Sequence, residues 1–327
     1  MKDVSIKDVA ARAGVSAGTV SNVLNRPGKV AEETRLRVER AVQELGFVRH
    51  GSASSLRAGR SRSLGLAVID IANPFFTEVA AGAEDVASAE GYAVLLANSA
   101  ADPAKQERVL RVLAEQRVGG VLITPVGDEL HQLDLLRERG INVVLVDHPA
   151  HRPDQCAVAV NDVAGGTLAA THLLASGARA LTYVSGPLGI RQCRDRLDGA
   201  RRAGAPVTEL IVPAMNARGG ERAAADLLAA GPLPEAVFCA NDLLALGLLR
   251  GLLQAGVRVP EQVRVVGYDD IDLAGASVVA LTSVRQPIRR LGQVAAELLL
   301  DECDHPETHA HRQIMFQPEL VVRESAP

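Results

Sequence analysis

The sequence predicts an α/β protein, with a small N-terminal helix-turn-helix head and a body of two doubly wound α/β subdomains. Three observations lead there. Residues 5–25 carry two short, capped helical patterns that meet at a glycine. From residue 63 onward, apolar β-rich runs alternate with helical stretches. Positive charge is gathered in the first 60 residues of a chain whose net charge is −4.

In the head, Ile6, Val9, Ala10 and Ala13 fall on one helical face. Ser5 can cap that helix with Asp8 three residues on, and Gly14 suits the left-handed position that ends it. Ser16 can cap a second helix, in which Ala17, Val20 and Leu24 turn inward. Gly18, Ser21, Asn22 and Asn25 lie opposite, and their short groups would let the backbone come close to DNA. Ser, Thr and Asn can bond phosphate oxygens, and Asn22 can reach a base edge. Val38, Ala41, Val42 and Leu45, stopped by Gly46, supply a third helix. The plain alternative is an ordinary helical hairpin.

The charge division supports the DNA reading. Residues 1–60 hold 11 Lys or Arg against 6 Asp or Glu, a net +5, which leaves −9 for the rest. A basic head on an acidic body fits a polyanion-binding head. Residues 47–62 are polar, basic and rich in Ser and Gly, as in a flexible linker. Within them Ala53 and Leu56 are spaced as on one helical face, and Leu56 is a lone large apolar side chain.

In the body the candidate strands are Leu64–Ile69, Tyr92–Ala97, Gly120–Ile123, Val143–Val146, Ala157–Val160, Ala180–Val184, Ala236–Cys239 and Val263–Val266. Continuous apolar runs of this kind suit parallel strands buried on both faces. Helical patterns over Thr77–Glu90, Lys105–Gln116, Ala164–Ala175, Arg218–Ala230 and Leu243–Ala255 separate them. Ligands in such folds bind beyond the carboxyl ends of the strands. Asp70, Asp147, Asn241-Asp242 and Asp269-Asp270 stand there, and Asn73-Pro74-Phe75-Phe76 opens a helix. Arg191, Arg194 and Arg196 follow Gly186-Pro187. Any one such Asp or Asn could merely cap a helix, but the set together suits a ligand with many hydroxyls.

Ile6-Lys7-Asp8-Val9-Ala10, Ala13-Gly14-Val15-Ser16, Thr19-Val20-Ser21, Val23-Leu24-Asn25 and Thr34-Arg35 resemble the LacI/GalR family of bacterial transcription regulators. The likeness continues through Ala240-Asn241-Asp242, Val266-Gly267-Tyr268-Asp269-Asp270, Leu281-Thr282-Ser283-Val284-Arg285-Gln286 and Pro318-Glu319-Leu320-Val321-Val322-Arg323. It implies a periplasmic-binding-protein-like body and DNA contacts from Ser5, Ser16, Ala17, Gly18, Thr19, Ser21, Asn22 and Asn25. It further implies a hinge helix in which Ala53, Leu56 and Arg57 meet DNA, Leu56 as a minor-groove wedge. Effector ligands would be Asp70, Asn73, Asp147, Arg194, Asn241, Asp269 and Gln286, with Phe75 and Phe76 as an apolar platform, Phe76 being equally suited to the core. Three departures stand out: Arg49-His50 in place of Pro-Asn, Ser54 in place of Arg, and Ala31 in place of a capping Ser. Val160, Met215 and Ile288 are aliphatic where some members carry aromatics, which disfavours a purine sandwiched between rings relative to a sugar.

The expected organisation is a head over 1–48, a hinge over 49–62 and a body over 63–327. The body divides into an N-subdomain of about 63–160 plus 289–317 and a C-subdomain of about 161–288 plus 318–327. The expected partners are a pseudo-palindromic double-stranded operator, a small-molecule effector of the carbohydrate kind, and a second copy of the chain. The dimer face is expected on the helix after Asn73-Pro74 and on Leu243–Ala255. No C-terminal heptads follow, so no coiled-coil tetramer is expected. No membrane partner is expected, since no apolar run is long enough to span a bilayer and no signal-peptide pattern appears. Cys156, Cys193, Cys239 and Cys303 are scattered, as in a reducing cytoplasm. Cys303-Asp304-His305-Pro306-Glu307-Thr308-His309-Ala310-His311 concentrates metal-capable groups but reads as a solvated loop, so no metal and no cofactor are expected. No Walker A, G-x-G-x-x-G, G-x-S-x-G or H-E-x-x-H motif occurs, which leaves catalysis unsupported. A stand-alone sugar-binding protein would need a secretion signal and no head.

Overall fold

The computed structural model describes residues 4–47, 61–127, 131–150, 152–204 and 206–327. The chain separates into a unit over Met1–Ser61 and a second over Arg62–Pro327. The Asn25 side chain and the hinge residues Ala53, Leu56 and Arg57 lie outside the described residues.

The head is a small helical bundle. Helix α1 (Ile6–Ala13) begins with a reciprocal capping box: Ser5 Oγ accepts from the Asp8 amide, and the Ser5 amide donates to Asp8 Oδ2 at 2.8 Å. Gly14, at φ 65°, closes it in the left-handed conformation. Helix α2 (Ala17–Asn25) starts on Ser16, whose Oγ accepts from the Thr19 amide at 3.0 Å. Helix α3 (Glu32–Leu45) starts at Ala31 with no side-chain cap, as the departure from the family pattern implies. Val9, Val20 and Val38 are fully buried between the helices, with Ala10, Ala13, Val23 and Ala41 around them. Val23 is a core residue that the sequence reading did not single out.

The body is built on two six-stranded sheets, in the fold class expected. The first runs β11-β5-β4-β3-β1-β2, with β1 Ser63–Val68, β2 Ala93–Asn98, β3 Gly120–Ile123, β4 Asn142–Val146, β5 Ala157–Val160 and β11 Gln313–Phe316. All its pairings are parallel. The second runs β12-β10-β9-β8-β6-β7, with β6 Leu181–Ser185, β7 Val207–Ile211, β8 Ala236–Cys239, β9 Arg264–Asp269, β10 Thr282–Arg285 and β12 Glu319–Val321. Only β12 is antiparallel to its neighbour. The helices are α4 Pro74–Ala89, α5 Pro103–Glu115, α6 His131–Glu138, α7 Asp162–Ala175, α8 Arg191–Arg202, α9 Ala217–Ala229, α10 Asp242–Gln254, α11 Asp272–Ala276 and α12 Ile288–Asp304. Each expected strand is present. Strands β7, β10, β11 and β12 add to them.

Glycines let the helices of each subdomain pack backbone to backbone. In the α7–α8 pair, a Cβ on Gly166 would stand 2.0 Å from the Arg196 carbonyl oxygen, and one on Gly199 would stand 2.1 Å from that of Val163. The α9–α10 pair repeats this with Gly220 and Gly247, and the α4–α12 pair with Gly82 and Gly292. Such contacts set where α8, and with it Arg196, can sit. Gly166→Ala is therefore expected to destabilise the body by roughly 1–3 kcal/mol or more through overpacking. Gly189→Ala meets nothing within 4 Å and should stay within about 0.5 kcal/mol of the parent. Urea unfolding of the two variants checks this.

Candidate functional site: a buried acidic cleft and a polar helix face

Two surfaces qualify as functional. In the head it is the outer face of α2. Asn22, Gly18 and Ser16 are exposed, while Ala17, Thr19 and Ser21 are half-buried. Ser16 Oγ is also 2.9 Å from Thr19 Oγ1, which orients both hydroxyls at the start of the helix. Ser5 and Ser16 serve first as helix caps. Ala17 packs against the head core, so it can present only backbone and a methyl group. The cations Arg12 and Arg35 are held by Glu44 at 2.5 Å and Glu39 at 3.1 Å.

In the body, the carboxyl ends of the two sheets meet in a nearly closed cleft. Its lining includes Ile69, Asp70, Asn73, Phe75, Phe76 and Asp147 from the first subdomain, and Ile190, Gln192, Arg196, Met215, Asn241 and Asp269 from the second. The remaining cavity is about 50 Å³, well below the roughly 300–1,000 Å³ of a typical ligand pocket. A ring-sized ligand needs the two subdomains to part.

Arg196 organises the cleft. It is 5% exposed, and its Nε donates to Asp162 Oδ1 at 2.7 Å. Its Nη1 donates to the Ala240 carbonyl at 2.6 Å and stands 3.8 Å from Asp269 Oδ1. The guanidinium carbon lies 3.6 Å from the centre of the Tyr268 ring. Burial works to lower its pKa, but Asp162, Tyr268 and Asp269 together hold it well above the ordinary arginine value. Arg194, the arginine the sequence reading chose, is not brought to the cleft: its Nη1 points to the Leu188 carbonyl at 3.5 Å. The reason is helical phase. Cys193, Arg196, Leu197 and Ala200 share the buried face of α8, and residue 194 lies off it. The apolar spacing of 193, 197 and 200 was the signal that could have selected Arg196.

Asp147 follows β4 at φ 54° and is 5% exposed. Gln192 Nε2, which the sequence reading missed, donates at 2.8 Å to both its carbonyl and its Oδ2. Gln192 lies four residues from Arg196 on the same helix, and it ties the second subdomain to the first. Asp147 Oδ1 is buried without a protein partner. Burial, then the nearby Asp162, raise the Asp147 pKa well above the carboxylate range. Asp269, the last residue of β9, accepts from Gln286 Nε2 at 2.8 Å. Burial pushes its pKa up to about 7, opposed by Arg196 and, from across the cleft, by Asn73.

The other expected residues divide in role. Asp70 accepts from the Ala72 amide and Asn73 from the Phe75 amide, so both shape the start of α4 and line the cleft. Phe75 and Phe76 pack edge to face at 5.0 Å and belong to the subdomain core as well as to the lining. Asn241 is chiefly structural: Oδ1 caps α10 at the Leu244 amide and Nδ2 donates to the Met215 carbonyl. Gln286 supports Asp269 from outside the lining. Asp242 accepts from Ser283 Oγ and the Ile271 amide, and Asp270 pairs with Arg285 and Arg323. Of Val160, Met215 and Ile288, Met215 alone lines the cleft.

Comparison with known proteins agrees with this architecture. A family model described as bacterial regulatory proteins, lacI family, matches residues 5–50, and one for a periplasmic binding protein-like domain matches 170–326. The chain is 37% identical over 98% of its length to a Photobacterium profundum protein named HTH-type transcriptional repressor PurR, 98% of which is covered. The chain belongs to the lacI family. Among solved structures of this family, a lac repressor dimer bound to operator and the anti-inducer ONPF superposes with TM-score 0.85 at 27% identity, covering 99% of each chain. A complex of the transcriptional regulator CelR with cellobiose superposes at 0.71 with 32% identity, covering 98% of this chain and 99% of that one. This lacI-family chain is a DNA-binding transcription regulator and not an enzyme. No helix among the described residues is long and apolar enough to cross a membrane.

Removing the central cation separates the two arginines. Arg196→Ala leaves Asp162 and Asp269 buried without their counter-ion and is expected to cost about 3–5 kcal/mol. Arg194→Ala leaves that buried ion group intact and should cost less than Arg196→Ala. Thermal unfolding of both variants gives the comparison.

Proposed function

We propose that the chain is a cytoplasmic repressor acting as a homodimer on a pseudo-palindromic double-stranded operator. Its operator affinity is set by a small polyhydroxylated effector, a sugar or sugar derivative, held between the two subdomains of the body. The observation that carries the effector reading is the orphaned Asp147 Oδ1, buried in a cleft beside Arg196 and Asp269. A buried carboxyl oxygen with no partner is costly unless a hydrogen-bonding group arrives, and a ligand hydroxyl, which can both donate and accept, is such a group. The aromatic rings of the lining, Phe75 and Phe76, are neighbours on one helix, while Ile69, Ile190 and Met215 are aliphatic. Stacking a planar base between two rings is disfavoured by that lining. The cellobiose complex of CelR favours the same class.

In the head, Asn22 is the exposed α2 side chain suited to a base edge, with Ser16, Thr19, Ser21 and Asn25 on phosphates. The hinge, with Ala53, Leu56 and Arg57, adds a minor-groove wedge. Few long side chains reach bases, so operator choice rests also on DNA deformability. The proposed domain division is a head over 1–48, a hinge over 49–62 and a body over 63–327. Outward groups on α4 and α10, such as Glu78 and Arg250, supply the proposed dimer face. The head argues against a stand-alone sugar-binding protein.

Two measurements test this. In gel shifts with the chain's own promoter region, Asn22→Ala should weaken specific binding by about 1–3 kcal/mol, and Leu56→Ala should weaken it with the body's unfolding unchanged. No specific shift with any upstream fragment would sink the regulator reading. Effectors are to be found by a thermal-shift screen of sugars and of purines. Hydroxyls donate to an ionised carboxylate, so binding expels the Asp269 proton and tightens as pH rises through about 7. Affinity should gain about tenfold between roughly pH 6 and pH 8, and Asp269→Asn should reduce the gain. A flat profile in the parent chain would place the ligand elsewhere.

A further inference from the structure

At the opposite end of the first sheet from the cleft, the start of β5 meets the connection between α12 and β11. Cys156, Glu302, His309 and His311 converge there, and one ligand atom from each lies within 4.8 Å of the others. We propose that these four side chains form a binding site for one zinc-class divalent ion. The proline and polar residues between Cys303 and His311 suggest a solvated loop, but Cys156 and Glu302, from outside it, complete the cluster. Only His309 and His311 of that run take part. Cys303 instead turns its thiol to the Gly119 carbonyl at 3.3 Å.

The spacing fits a tetrahedral ion. Zn–S and Zn–N bonds of about 2.3 and 2.0–2.1 Å put neighbouring ligand atoms roughly 3.3–3.6 Å apart. Cys156 Sγ stands 3.2 Å from His309 Nε2 and 3.6 Å from His311 Nδ1.

The hydrogen bonds around the cluster turn lone pairs inward. His309 Nδ1 is 2.7 Å from Asp301 Oδ2, and this bond keeps the proton on Nδ1. Its Nε2 therefore faces Cys156 as a bare lone pair. A thiol carries one proton and can satisfy one ring nitrogen. Even if His311 donates to sulfur, Glu302 Oε2 remains buried with no donor. A cation bound among these groups would engage the lone pairs of His309, His311 and Glu302 together.

The surroundings are those of a held ligand set. The His309 side chain is 2% exposed and Cys156 is fully buried. Asp301 orients His309 as a carboxylate behind a metal-bound imidazole does, and its other oxygen accepts from His305 at 3.2 Å. The Arg312 amide donates to Cys156 Sγ at 3.4 Å, as an amide does to a thiolate. His311 is exposed and leaves a route of entry. Arg137 and Arg312 act electrostatically on the cluster and moderate its affinity without occupying a ligand atom. Binding forms the metal–sulfur bond and sends the Cys156 proton to solvent. The bound ion clips the α12–β11 connection to β5.

The test uses the untagged full chain, reduced with a phosphine and freed of metal, titrated with Co(II) and then Zn(II). One equivalent of Co(II) should give thiolate-to-cobalt charge-transfer absorption together with tetrahedral d–d bands, and Zn(II) should displace it. Zinc at about a hundredfold above its Kd should raise the Tm by about 5 °C. Cys156→Ser and His311→Ala should lose the charge-transfer band and the shift, while Cys303→Ser keeps both. Asp301→Asn should weaken binding about 10–100-fold with the spectrum retained. If Cys156→Ser fails to fold, the parent spectrum and the exposed His311→Ala variant decide the matter. No charge-transfer band in the folded parent chain, or one that survives in His311→Ala and moves with Cys303→Ser, would overturn the site.

Discussion

One buried guanidinium sets the terms for the body. Arg196 lies where the two sheets meet, and Asp162 and Asp269 close around it. Without a cation there, the carboxylates could be buried only by taking up protons. Its position is fixed from behind by the close approach of α7 and α8, which Gly166 and Gly199 permit. Packing and electrostatics are therefore one constraint: the helices touch at their backbones so that the arginine can reach the strand ends.

This arrangement suits a switch. Gln192 donates to Asp147 across the cleft and Asn73 faces Asp269 there, so polar contacts join the two subdomains at the cleft. Such contacts can be exchanged for ligand hydroxyls at similar energy. A ligand that fits the open and closed arrangements unequally then shifts the balance between them by its differential affinity.

Much of this was legible in the sequence, for physical reasons. Ser5, Gly14 and Ser16 mark helix ends because only a few residue types can satisfy an exposed amide or adopt a left-handed turn. The buried parallel strands announce themselves as unbroken apolar runs. Strand β7 is different: Thr208 and Glu209 interrupt its apolar residues at a sheet edge. Strand β10 reads Thr-Ser-Val-Arg, buried by its neighbours rather than by its own hydrophobicity. Arg194 and Arg196 stand two residues apart on one helix, and only helical phase distinguishes the buried one. The contribution of Gln192 carried no motif at all. The pairing of Cys156 with His309 joins residues about half the chain apart, which spacing cannot reveal.

The central claim is that the cleft and the operator-binding head belong to one thermodynamic system. The direct measurement is a pair of titrations: operator binding with and without saturating effector, and effector binding with and without saturating operator. The two coupling factors must be equal, and are expected to fall at about 5–150-fold. An effector that occupies the cleft yet leaves operator affinity unchanged would contradict the account.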